Sequence, residues 1–211
     1  MAKTIIFDFD GTLADTLTAG IAIYNSIATE YGCLKVPQEK IEDLRSKRPQ
    51  EFLADFGVTF FKLPKILLRM RDELNTKMRT IEEIPGIVQQ IINIHNAGYS
   101  LGVLTSNSQD NVKSFLQRYH VDKLFNFIFS EKHIFGKHKA IKRLLKKNKL
   151  STSDVIYVAD ETRDIEAAHK AGIKIISVSW GFNTKNILEA LKPDTLIHKP
   201  SELISAIQLL A

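Results

Sequence analysis

The chain has 211 residues, 44% hydrophobic and 25% charged, the balance of a soluble globular protein with room for one real core and a modest insertion. Its single cysteine, Cys33, excludes an internal disulfide and a multi-cysteine zinc site and fits a reducing compartment. The net charge of +5 is concentrated in Lys137–Lys149, which holds seven basic residues and no acid.

No aromatic residue interleaves with that basic run and no nucleic-acid-binding motif accompanies it, so it reads as a solvated helix face with no nucleic-acid partner. No apolar run nears the roughly 20 residues of a membrane span. No basic-then-apolar signal sequence opens the chain. The expectation is a cytoplasmic protein without a membrane partner. Nothing in the sequence sets an oligomeric state.

Thr4-Ile5-Ile6-Phe7 is apolar and β-prone without alternation, which predicts a short strand buried on both faces. It ends in Asp8 and Asp10, which point the same way in extended chain. Gly11 then permits a sharp turn. Carboxylates at the end of a buried strand need a cation or a hydrogen-bond network. A hard cation such as Mg²⁺ takes such oxygen ligands. Leu17, Ile21, Tyr24, Ala28 and Tyr31 then follow helical spacing, with Gly32 as a C-terminal cap. Pro37 opens a second helix to Leu44, Pro49 a third ending at Gly57, and Pro64 precedes a fourth through Met78.

From Pro85 strands and helices alternate. Helices are expected near 86–97, 109–119, 137–148, 163–171, 184–191 and 201–210. Strands are expected at 101–105, 125–129, 155–158, 174–178 and, weakly, 195–197. This alternation predicts an α/β fold with a doubly wound, parallel, Rossmann-like sheet. Residues 1–14 and 84–211 form its core. Residues 15–83 are an inserted small all-helical cap domain, joined through hinges near 14–16 and 82–85. Three strands end in reactive groups: Asp8 with Asp10, Ser106 with Asn107, and Asp160. Ligands of such sheets bind outside the carboxyl ends of the strands, so the fold alone would gather these groups.

Asp8-Phe9-Asp10-Gly11-Thr12-Leu13 resembles the first motif of the haloacid dehalogenase superfamily, most of whose members are Mg²⁺-dependent phosphatases. The resemblance implies that Asp8 is the nucleophile, forming an aspartyl-phosphate, and that Asp10 is the general acid/base. Leu104-Thr105-Ser106-Asn107 is similar to the second motif, with Ser106 (or Thr105, if the strand ends earlier) and Asn107 holding the phosphoryl group. In Gly136-Lys137-His138-Lys139, Lys137 matches the third-motif lysine, with Lys139 as the alternative; His138 stands where many members have proline. Ala159-Asp160-Glu161-Thr162-Arg163-Asp164 is similar to the fourth motif, with Ala159 in place of the common glycine. Mg²⁺ would be held by Asp8, the backbone carbonyl of Asp10, Asp160, and Asp164 through water. Glu161 reads as a solvated acid at a helix start. The four motifs, in the family's order, cover the whole core.

The resemblance thus implies hydrolysis of a small-molecule phosphomonoester. Family members with a dehalogenating activity lack a carboxylate at the position of Asp10. A phosphomutase on the same core and a non-catalytic phosphate-ligand binding protein are the alternatives. Gly98-Tyr99-Ser100-Leu101-Gly102 fits G-x-S-x-G, but in a helix-turn-strand context rather than the strand-turn-helix of a nucleophile elbow. Arg45-Ser46-Lys47-Arg48 places three cations in a cap loop, and Arg45 or Arg48 is a candidate to bind an anionic group of a phosphoglycolate-like substrate.

Overall fold

The computed structural model describes residues 3–47, 51, 54–131 and 136–211. A six-stranded parallel sheet forms its centre: β1 (Thr4–Phe7), β2 (Ser100–Thr105), β3 (Phe125–Ser130), β4 (Val155–Ala159), β5 (Lys174–Val178) and β6 (Thr195–Ile197), in the order β3-β2-β1-β4-β5-β6. β1 lies between β2 and β4, and all four of its residues are buried. That explains its unbroken apolar run: a strand covered on both faces has no solvent side to carry polar residues. The strand order reverses at β1, so the switch point and the first acidic pair coincide.

Helices cover both faces. On one, α4 (Ile87–Asn96), α5 (Gln109–Arg118) and α9 (Leu203–Leu210) pack with Ile5, Phe7 and Phe9. On the other, α6 (Lys137–Asn148), α7 (Thr162–Ala171) and α8 (Lys185–Ala190) pack with Ile6, Leu104 and Tyr157. In α6 the buried residues are Ala140, Ile141, Leu144 and Leu145, so most of the basic run stays outside, as its helical wheel requires.

Between β1 and α4 lie α1 (Thr16–Ile27), α2 (Ile41–Arg45) and α3 (Leu63–Lys77), with a third cluster built on Tyr24, Ile27, Cys33, Val36, Val58 and Ile66. Of the helix expected from Pro49 to Gly57, residues 49, 50, 52 and 53 lie outside the described residues, while Glu51, Ala54 and Asp55 are helical. The two crossings between core and insertion bond to each other: Asp15 N–H donates to Glu82 O and Ile84 N–H to Leu13 O, each at 2.9 Å. Among the described residues, no helix is long and apolar enough to cross a membrane.

Candidate active site

β1 delivers Asp8 into the interior just past its last residue, where the Asp8 N–H still extends the ladder to Val158 O at 2.8 Å. Its carboxylate is buried and meets Lys137 Nζ at 3.0 Å. Lys137 opens α6 and also pairs with Asp164. Of the two lysines left open by the sequence, Lys137 is the one that reaches the acids, while Lys139 is exposed. Burial raises the Asp8 pKa to about 7, against the pull of Lys137; the nearby charges of Asp164, Asp10 and Glu161 add to the rise. Burial opposes the charge on Lys137, but Asp164 and Asp8 outweigh it and hold the ammonium protonated.

β4 delivers Asp160, whose two oxygens are both engaged. Thr12 Oγ1 donates to Oδ1 at 2.8 Å, and the Phe182 N–H donates to Oδ2 at 2.7 Å. Two glycines let these loops close in. A Cβ on Gly11, whose φ is +78°, would lie 2.3 Å from Asp160 Oδ2, and one on Gly181 2.2 Å from the same atom. Both positions therefore exclude a side chain while Asp160 stays where it is.

Oxygens of Asp8, Asp160 and Asp164 lie within 4.8 Å of one another, and all three residues are buried. Asp164 Oδ2 is buried with no hydrogen-bond partner, although Tyr157 Oη donates to its other oxygen at 3.3 Å. Lys137 pairs with two of these three buried carboxylates, Asp8 and Asp164. Such an excess of negative charge is costly unless a cation balances it. The donors are all oxygen, so the set fits a hard divalent ion. Glu161, expected to be solvated, is instead buried and paired with Arg163, because the turn from β4 into α7 folds both against the site.

β2 ends at Thr105. Thr105 is buried, and its hydroxyl accepts the Asn107 N–H at 2.9 Å. Ser106, the first residue past the strand, is exposed and lines a cavity with Thr105, Glu131, Lys137 and Arg163. The cap of α5 is Ser108, whose side chain accepts from Asn111 N–H, so Ser106 is free of that duty. Asn107, expected as a phosphate ligand, turns its amide to a carboxylate. Its side-chain Nδ2 donates to the carboxylate of Asp10, at 3.1 Å to Oδ1 and 3.4 Å to Oδ2, and its backbone N–H is spent on Thr105. Burial pushes the Asp10 pKa up, and this bond from Asn107 works against it.

The two arginines expected to bind an anion divide. Arg48 lies outside the described residues. The guanidinium of Arg45 is engaged with protein: Nε donates to Gly181 O at 3.1 Å, Nη2 to Ser179 O at 3.0 Å, and Nη1 to Glu42 at 2.9 Å. Here it ties the insertion to the core loop that supports Asp160 instead of facing an open anion site. Asn183 completes the seam. Its Nδ2 donates to Arg45 O and Lys47 O, and its Oδ1 accepts the Thr162 N–H at 2.9 Å.

Sequence reasoning missed Thr12, Arg163 and Asn183. Arg163 stands between Asp160 and Asp164, so its place in the fourth motif was the available signal. Thr12 lies inside the first motif, which is its only signal, and Asn183 lies outside all four motifs.

Residues 5–178 match the family model of the haloacid dehalogenase-like hydrolases. The chain is 33% identical over 205 residues to a phosphoglycolate phosphatase of Synechococcus elongatus, covering 97% of each chain. It is 27% identical over 210 residues to pyrophosphatase PpaX of Bacillus velezensis, covering 95% of this chain and 94% of that one. In fold it is similar to a predicted phosphatase from Clostridium acetobutylicum, with a TM-score of 0.83, 19% identity and 99% of each chain covered. The four-motif constellation on this sheet, the family match over most of the chain and the near full-length relatives lead to one conclusion: the chain belongs to the haloacid dehalogenase-like hydrolases, as a phosphatase of that family.

Proposed function

We propose that the protein is a Mg²⁺-dependent phosphatase that hydrolyses a small phosphomonoester through an aspartyl-phosphate on Asp8. The observation that carries this reading is the Asp8 carboxylate, buried and held 3.0 Å from Lys137 inside a three-aspartate cluster. Asp8 Oδ attacks phosphorus, forming an O–P bond as the ester O–P bond breaks. Asp10 gives its proton to the leaving oxygen, then takes one from the water that cleaves the acyl phosphate. Lys137 and the Ser106 hydroxyl hold phosphoryl oxygens and stabilise the charge developing there. Asp8, Asp160, the Asp10 carbonyl and, through water, Asp164 would hold Mg²⁺, which shields charge between nucleophile and phosphate when bound. The insertion of residues 15–83 acts as a cap that excludes water from the acyl phosphate's first half-reaction.

The relative with 33% identity is a phosphoglycolate phosphatase, which supports a small, doubly anionic substrate of that kind. Arg163, paired with Glu161, lines the same cavity as Ser106 and Lys137. The test is turnover of 2-phosphoglycolate and p-nitrophenyl phosphate with Mg²⁺ by the wild type and Asp8→Asn. A carboxamide is a poor nucleophile, so Asp8→Asn loses measurable turnover while keeping its melting transition. Near-normal activity in that variant would reject the acyl-phosphate route.

A further inference from the structure

The bond from Asn107 to Asp10 continues outward. Asn107 Oδ1 accepts two donors: the Ser108 N–H at 2.8 Å and Asn111 Nδ2 at 2.8 Å. The backbone donor fixes which end of the amide is oxygen, because an inverted amide would set N–H against N–H. The Asn107 NH₂ must therefore face Asp10. Ser130 Oγ holds the Asn107 carbonyl at 2.5 Å, so the residue is clamped at both main chain and side chain. Asn111 Nδ2 also donates to Asn75 Oδ1 at 2.5 Å. Asn75 belongs to α3 of the insertion, next to Leu74, which packs against the core cluster. Three amides thus run from the insertion to the proposed acid/base.

We propose that Asn111 is a positioning residue for Asp10, relaying the seating of α3 from Asn75 through Asn107. The inference rests on the phosphatase reading with Asp10 as general acid. With α3 seated, Asn75 fixes Asn111, Asn111 fixes Asn107, and the Asn107 NH₂ aims the Asp10 carboxyl. With α3 displaced, Asn111 loses its outer acceptor and the chain loosens toward Asp10. The acid would then be best aimed when the insertion is closed on a substrate.

A positioning role for a general acid has its own signature. A nitrophenolate departs without a proton, whereas an alkoxide needs one, so a misaimed acid harms alkyl phosphates selectively. The measurement is kcat and KM on 2-phosphoglycolate and p-nitrophenyl phosphate, with Mg²⁺, for the full-length wild type, Asp10→Asn, Asn111→Ala, Asn75→Ala and the double variant. Asn111 lies in the first turn of α5, and alanine keeps both that helix and the Ser108 cap on its N–H. Asn75 is exposed, so its replacement leaves folding intact, as circular dichroism would confirm.

Asn111→Ala is expected to lower kcat/KM on phosphoglycolate roughly tenfold, the size of one lost hydrogen bond. On the aryl phosphate the loss of kcat/KM is smaller than about twofold, because kcat/KM ends at leaving-group departure and leaves out the later water step that Asp10 assists on both esters. Asn75→Ala moves the same way, and the double variant is no worse than Asn111→Ala. Equal losses of kcat/KM on both substrates, or none, overturn the relay. A silent Asn75→Ala beside a selective Asn111→Ala overturns its link to the insertion. If wild type turns over neither ester, or Asp10→Asn spares the alkyl phosphate, the phosphatase reading itself fails, which is a separate result.

Discussion

The sheet and the helical insertion of this protein are built to different standards. β1 and β4 are buried along their full length, and the acids they deliver are fixed from several sides. In the insertion, α3 runs 15 residues with Ile66 as its one buried side chain, and Phe60 and Phe61 near its start are 81% and 87% exposed. Groups that react must be held to fractions of an ångström, so they sit where packing is dense. A thinly packed lobe opens locally at low cost, which suits the cap role proposed for it.

Matched deletions measure that contrast, and they carry the largest stability effect. Ile156 on β4 is fully buried and Ile66 is 2% exposed, so the two lose the same methyl groups on truncation. Ile156→Ala should cost about 4–5 kcal/mol and Ile66→Ala about 2–3 kcal/mol, because the thinner lobe collapses onto the gap more readily. Urea unfolding gives the two values. Hydrogen exchange should show Ile66→Ala loosening amides of residues 16–80 while those of β1 and β4 stay protected. Equal losses with uniform exchange would make lobe and sheet one cooperative unit.

The seam between the two comes next in size. Arg45→Ala leaves the Gly181 and Ser179 carbonyls without that donor and should cost about 1–2 kcal/mol in docking the lobe. Limited proteolysis within residues 16–80 should accelerate while the main melting transition moves little. Arg45→Lys restores charge without the fork and should recover only part of the resistance. A proteolysis rate like that of wild type would mean the seam is held without Arg45.

The smallest effect belongs to the far edge of the sheet. Asp194 accepts from Lys174 Nζ at 2.6 Å and from Ile175 N–H at 3.0 Å. Desolvation raises its pKa, but these two bonds outweigh it and leave the pKa below the usual carboxylate value. A carboxyl with a lowered folded pKa stabilises above its unfolded pKa and loses that contribution as pH falls through the folded value. Asp194→Ala should therefore cost about 1 kcal/mol or less at pH 7, and the difference from wild type should vanish in urea titrations at acid pH, below both values. A gap that persists there would trace to packing instead of charge.

Much of the sheet was legible because its periodicity is local. The unbroken run of β1, the helical spacing of α6 and the glycines closing helices specify their elements without reference to anything distant. Asp8, Asp10, Lys137 and Asp160 were legible because each sits at a strand or helix end in a short motif. Lys137 could not be separated from Lys139 by sequence, since two residues along a helix start turn the side chain about halfway round, and only the placement of α6 decides which one faces β1. The partners of these residues were not legible. Thr12 and Asp160 are 148 positions apart, and Asn107 and Asp10 are 97 apart. A bond of that span follows from tertiary placement, and asparagine leaves no pattern distinguishing an acid-aiming amide from a turn residue.

The pairing of the two crossings has a consequence for how such a protein can change. Leu13 and Ile84 are bonded neighbours, so the insertion leaves and re-enters the core at one point, like a loop with coincident ends. Closure of a loop depends only weakly on its length. Lengthening, shortening or replacing the insertion therefore leaves the sheet's own pairing untouched, provided the ends still meet at the Ala14–Glu83 bridge. Sheet and insertion can then diverge at separate rates, and a lobe from a relative could be exchanged by cutting the chain at two spatially adjacent points.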